Sequence, residues 1–176
     1  MKKLFVLIGE SGSGKTTLVN ELVRKYSDKL KKVITCTSRT PRVGEIDGED
    51  YHFLPREYFD NNPDLVLVKN PVHGDCYGTR KSELFSKTHN LLLASKPTGI
   101  PKLVALGFQN LVVVRIEIGE MLKIERMRHR GDSEQMILKR LELDSASVEI
   151  DFGNVPIIEL NSIQSLDEKV GLILKV

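Results

Sequence analysis

At 176 residues the chain is one domain's worth of sequence, long enough for a continuous core and too short for two ordinary domains. With 40% hydrophobic and 28% charged residues it is neither disordered nor collagen-like, and a formal net charge of +2 is too even for bulk nucleic-acid binding. No apolar run approaches the length of a membrane span. Leu4–Ile8, after Met1-Lys2-Lys3, is too short for a signal peptide and lacks a small-residue cleavage pattern, so neither nucleic acid nor membrane is expected as a partner. Cys36 and Cys76 make no disulfide framework and no metal site. They read as reduced thiols of a cytoplasmic protein, a single disulfide being the alternative.

In chain order, Leu4–Ile8 is a continuous apolar run ending at glycine, as a strand buried on both faces should be. Leu18, Val19, Leu22, Val23 and Tyr26 share one helical face, and the small charge run Lys29, Lys31, Lys32 reads as that helix's solvated end. Residues 32–37 are rich in β-branched side chains and predict a second strand. Further strands are expected at 91–93, 111–116 and 155–160, the last with Pro156 at its start or on an edge. Helical patterns fall near 98–107, 119–129, 133–148 and 165–174. This alternation implies an α/β fold, a parallel sheet with helices on both faces. Residues 37–88 break the rhythm with Gly, Pro, Asp and Arg and with short strands at 50–53 and 65–68, and predict a small inserted subdomain. The chain then reads as a single unit, 1–176, with its core in 1–36 and 89–176.

Gly9-Glu10-Ser11-Gly12-Ser13-Gly14-Lys15-Thr16 matches the phosphate-loop pattern G-x-x-x-x-G-K-[ST], between an apolar strand and an amphipathic helix. The glycines let consecutive N–H groups turn inward onto phosphate oxygens, and the new helix adds unpaired donors and a positive dipole end. Lys15 supplies a charge for the β- and γ-phosphates and the Thr16 hydroxyl a ligand for Mg²⁺, with Thr17 beside it. ATP and Mg²⁺ are the expected cofactors. After the second strand, Arg39 and Arg42 with the Ser38 and Tyr51 hydroxyls could converge on a second anion, or stand on an exposed turn. Arg126 and Arg130, four apart, share a helix face before a Gly131 exit; they suit a phosphate-covering lid or a solvated basic face. His52, His73, His89 and His129 lack metal-ligand spacing and are read as surface or satisfied histidines.

The stretch Thr37-Ser38-Arg39-Thr40-Pro41-Arg42 through Glu45, Gly48, Tyr51 and Phe53 resembles the signature of the guanylate kinase family, and the resemblance extends over essentially the whole chain. It implies a P-loop nucleotide-triphosphate fold with an inserted monophosphate-binding subdomain at about 37–88 and an arginine-bearing lid at about 126–134. By this resemblance Ser38, Arg39, Arg42 and Tyr51 hold the acceptor's 5′-phosphate, Tyr77 assists, and Thr79 reads the base. Arg126 and Arg130 belong to the lid over ATP, Arg140 after Lys139 reaches the transferring phosphoryl, and Asn161 lies near adenine. Gly9, Ser11, Gly12, Ser13 and Gly14 cradle the donor phosphates.

Two positions depart from the family. Its guanine-reading glutamate falls here on Val68, and its Asp-x-Asp on Ala94-Ser95-Lys96, so both acids are missing. Asp64 and Asp75 are nearby acids in other frames. The resemblance implies a nucleoside or deoxynucleoside monophosphate kinase acting on a small-molecule nucleotide, as monomer or homodimer, with GMP or dGMP the family's default acceptor; the missing acids point to altered base specificity, toward a pyrimidine or modified deoxynucleotide. Val68, Ser95 and Lys96 then join the substrate residues. A ribose 1,5-bisphosphate-type sugar phosphate kinase and a non-catalytic guanylate-kinase-like binding module are the alternatives.

Overall fold

The structure, a computed structural model, describes residues 2–60, 62–69, 74–145, 150–161 and 164–175, with the backbone alone described for Val68, Lys69 and Ser145. Its centre is β1 (Leu4–Ile8), whose five residues are all buried. Beside it on one side lies β7 (Asn90–Ala94), then β2 (Leu30–Lys32). On the other side lie β8 (Leu111–Glu117) and β9 (Ile157–Asn161). Every pairing in this five-stranded sheet is parallel, with Leu4 opposite Leu91 and Leu111. Side chains alternate across the pleat, so each face needs its own cover. Phe5, Leu7, Leu92, Val112 and Val114 pack with Leu18 and Leu22 of α1 (Lys15–Lys25) and Val170 and Ile173 of α5 (Leu166–Lys175). Leu4, Val6, Leu91, Leu93 and Val113 pack with Ile100 and Leu103 of α2 (Gly99–Ala105) and with Phe152. The sheet carries helices on both faces, as the alternation predicts.

A second, four-stranded sheet has the order β4–β3–β6–β5, formed by β3 (Cys36–Thr37), β4 (His52–Phe53), β5 (Leu65–Lys69) and β6 (Tyr77–Arg80). A small cluster of Cys36, Phe59, Leu65 and Cys76 packs beneath it, and both cysteines are free thiols. The remaining helices, α3 (Glu120–His129) and α4 (Glu134–Ser145), pack on one another over the phosphate loop's side of the molecule.

Three expectations are corrected. The run 32–37 is not one strand. Its start pairs with β7, the Val33 N–H still donates to Leu92 O at 2.9 Å, and the chain then crosses to the second sheet as β3. Lys31 and Lys32 therefore belong to an edge strand rather than a helix end; β2 begins four residues after the helix cap at Tyr26. His52 is not a satisfied histidine: its Nε2 is buried without a hydrogen-bond partner among the described residues, 3.9 Å from Glu83. His73 lies outside the described residues.

Candidate active site

Successive connections run to opposite sides of β1, so the loop after it opens at the point where the sheet's order reverses, a natural crevice for a ligand. That crevice is a cleft of about 1470 Å³ spanning the loop, the second sheet and the α3–α4 pair. Ten Lys and Arg line it against six Asp and Glu, on a chain whose net charge is only +2. The cleft thus focuses positive potential that the overall charge conceals.

The loop's shape depends on two glycines. Gly12 has φ 77°, and a Cβ there would stand 2.6 Å from Lys123 O of α3; Gly14 has φ 93° and caps α1. Lys123 pairs with Glu10, and Arg126 Nη1 donates to Ser13 O at 3.1 Å, so α3 is fastened along the loop. Lys15 Nζ folds back to donate to Gly9 O and Glu10 O, both at 2.8 Å, and to Ser13 Oγ at 3.2 Å. Burial pushes its pKa down from 10.5 to about 8; Asp144 opposes the shift, whereas Lys96 and Arg130 add to it. Thr16 and Thr17 open onto the cleft. Thr16 is an oxygen donor at the start of α1 and fits a Mg²⁺ carried in by phosphates. Among the described residues no cluster of three His, Cys, Asp or Glu could hold a metal by itself.

Facing the loop across the cleft, Arg39 Nη2 donates to Glu45 Oε1 at 2.9 Å, while Glu45 Oε2 accepts the Arg42 N–H at 2.7 Å. Burial works against the Glu45 charge, yet these two arginines hold its carboxyl below the usual range. The Arg39 guanidinium lies over the Tyr51 and Phe53 rings at 5.5 and 5.8 Å, and Tyr77 meets Tyr51 edge-on at 6.3 Å. Burial, and then Tyr77, raise the Tyr51 pKa, so its phenol remains a donor.

Between the two ends three guanidinium groups meet one carboxylate. Asp132, with its side chain 4% exposed, accepts from Arg130 and lies 3.7 Å from Arg140 Nε and 3.8 Å from Arg42 Nη2. Burial raises the Asp132 pKa and the arginines more than reverse this. Arg42 is pushed down by burial and by its cationic neighbours Arg39, Arg130 and Arg140. Such a convergence of planar donors is the geometry that a transferring phosphoryl requires.

Of the residues singled out in the sequence, Gly9, Ser11, Gly12, Ser13, Gly14, Lys15, Thr16, Thr17, Arg39, Arg42, Tyr51, Tyr77, Thr79, Ser95, Lys96, Arg126, Arg130 and Arg140 line this single cleft. Ser38 does not: its Oγ accepts the Cys76 N–H at 2.7 Å and fastens β3 to β6. Asn161 stands at the end of β9, exchanging hydrogen bonds with Gln164, and does not line the cleft. The Val68 side chain lies outside the described residues. Leu67, the residue before it, lines the cleft, at φ 57° where the β5–β6 register slips. Sequence reasoning missed Leu67, Thr35, Asp50 and Asp144 as cleft residues, and it placed Asp132 in the lid without the three arginine contacts it makes. Asp75, set aside as out of frame, also lines the cleft.

The family model described as Guanylate kinase matches residues 1–173. A guanylate kinase of Schizosaccharomyces pombe is 35% identical over 165 residues, covering 88% of this chain and 78% of that protein. One from Carboxydothermus hydrogenoformans is 33% identical over 146 residues, covering 80% and 71%. The solved guanylate kinase from Anaplasma phagocytophilum superposes with a TM-score of 0.66 at 20% identity, covering 99% of this chain and 83% of that one. A gluconokinase from Sinorhizobium meliloti shares the fold more loosely, with a TM-score of 0.51 at 16% identity over 97% and 90% of the two chains.

Proposed function

The chain belongs to the guanylate kinase family of ATP-dependent phosphotransferases, and from that premise we propose that it transfers the γ-phosphoryl of ATP to the 5′-phosphate of a nucleoside or deoxynucleoside monophosphate whose base is not guanine. The observation that carries the phosphoryl-transfer reading is the single cleft, with the phosphate loop at one end, the Arg39/Arg42/Tyr51/Tyr77 pocket at the other, and Arg130 and Arg140 between, joined to Arg42 through Asp132. Two phosphate groups brought together repel strongly, so catalysis is mainly alignment and charge cancellation. Lys15 and the loop N–H groups hold the donor phosphates. Arg39 and Arg42 hold the acceptor, and Arg130 and Arg140 close on the group in transit. The acceptor oxygen is ionised near neutral pH, so no general base is needed. Mg²⁺ would sit on the Thr16 hydroxyl, with phosphates and water completing its shell, and would supply further cancellation of phosphate charge. The second sheet serves as the acceptor subdomain and residues 126–134 as the lid that excludes water.

The base reading rests on what lines the far wall. Guanine brings N–H donors that cost roughly 1–3 kcal/mol each when left unpaired. Leu67 offers an apolar side chain to the cleft, while the Lys96 ammonium, 3.7 Å from Asp144, is held toward the phosphate-loop end and gives guanine no acceptor. Asp75 favours a second reading, in which a carboxylate from a different frame accepts the guanine donors and GMP is the substrate. A turnover panel over GMP, dGMP, dTMP, dUMP, dCMP, dAMP, modified deoxynucleotides and ribose 1,5-bisphosphate, followed by ADP release, separates the readings. Efficient GMP turnover, at about 10⁴ M⁻¹s⁻¹ or more in kcat/KM and lost in Asp75→Asn, establishes the second. Turnover of no acceptor removes the kinase assignment.

A further inference from the structure

The phosphate loop already holds an anion supplied by the chain. The backbone N–H of Ser11 donates to Asp144 Oδ2 at 2.7 Å, a contact between residues 133 apart in sequence. The other oxygen, Oδ1, lies 3.7 Å from Lys96 Nζ, and the carboxylate is 11% exposed. Asp144 also stands close enough to Lys15 to oppose the fall in its pKa. A carboxylate thus engages one loop N–H and acts on two cations of the donor end, where phosphate oxygens are held in loops of this construction. Lys15, meanwhile, donates to loop carbonyls.

We infer that Asp144 is an internal competitor for the phosphate loop, a residue that sets nucleotide affinity by giving up the Ser11 N–H when ATP phosphates arrive. The physical reason is exclusion. One N–H cannot serve a carboxylate and a phosphate oxygen at full strength, and two anions held a few ångströms apart in a partly buried cleft repel. Asp144 lies on the last turn of α4, four residues after Arg140 and therefore on the same face. Its departure frees Lys96 and shifts the end of the helix that carries Arg140, so filling the donor site would reset a cation assigned to the phosphoryl in transit. The inference rests on the loop being the ATP site.

The test compares ATP and tripolyphosphate binding to the unaltered protein and to Asp144→Asn and Asp144→Ala, by calorimetry. Both variants should bind ATP and tripolyphosphate about fivefold or more tightly, with the acceptor KM little changed. A merely structural carboxylate gives no gain in affinity on removal. In the unaltered protein, titration with tripolyphosphate should move the Ser11 amide and the Asp144 carboxyl carbon resonances together, a readout that needs no variant to fold. Equal or weaker binding by the variants, or Asp144 and Ser11 signals indifferent to bound tripolyphosphate, overturns the inference while leaving the donor site intact. Failure of the unaltered protein to bind ATP or tripolyphosphate overturns the donor-site reading and this inference with it.

Discussion

Lys15 shows how a cleft of cations works against itself. Burial and the neighbouring Lys96 and Arg130 hold its pKa near 8, against 10.5 for a free lysine. The unfolded chain therefore binds the extra proton between those values, and the partly buried ammonium costs stability that returns as pH rises from about 8 toward 10.5. Phosphate oxygens beside Nζ favour the charged form and reverse this balance. ATP binding near pH 9 should accordingly take up about one proton, with affinity falling by up to roughly tenfold per pH unit above 8. Calorimetry in buffers of different ionisation enthalpy measures the uptake, and Lys15→Gln should abolish it. An uptake unaffected by that substitution would place the titrating group elsewhere.

The phosphate loop and α3 are built against each other as elements. Gly12 in its left-handed conformation lets the loop pass over the Lys123 backbone, while Lys123 with Glu10 and Arg126 with Ser13 fasten the two together. A Cβ at Gly12 would meet a backbone carbonyl, which cannot rotate away, and would strain φ as well. Gly12→Ala should therefore cost about 1–3 kcal/mol of stability and displace the loop, weakening ATP binding more than acceptor binding. Thermal melting and separate titrations of ATP and acceptor check both parts. The second sheet uses its strain differently. The slipped β5–β6 register and the positive φ of Leu67 turn that side chain into the cleft, and Gly99 lies close by, where a Cβ would stand 3.8 Å from Leu67 Cδ2 and 2.6 Å from Ser95 Oγ.

Across the whole molecule, the cleft holds its shape because the parallel sheet beneath is buried on both faces. Leu93 is 0% exposed and packs on the α2 side, one residue from Leu92 on the α1–α5 side. Leu93→Ala removes packing that the rigid sheet cannot close over, and should cost about 2–5 kcal/mol, read by denaturant unfolding, with KM for both substrates nearly unchanged in the fraction that stays folded. A shift in KM as large as the loss in stability would mean that the core and the site are not separable in this way.

Features built from residues adjacent along the chain were legible before any fold was known. The phosphate loop is eight consecutive residues whose glycines, lysine and threonine act through local backbone geometry, so its place after β1 and before α1 followed from pattern alone. The two-faced strands were equally plain, because burial on both sides demands unbroken apolar runs such as Leu4–Ile8 and Leu111–Val114. Tertiary structure decided the rest. Whether residues 32–37 continue one strand or cross between sheets depends on which partners are within reach, a choice that β propensity does not encode. Leu67 lines the cleft at a positive φ beside a slip in the β5–β6 register, a local irregularity that the apolar run 65–68 does not announce. Asp132 and Asp144 carry no local pattern that marks them. Their roles come from three arginines on different elements and from a loop N–H 133 residues away, brought to them by the packing of α3 and α4 over the phosphate loop.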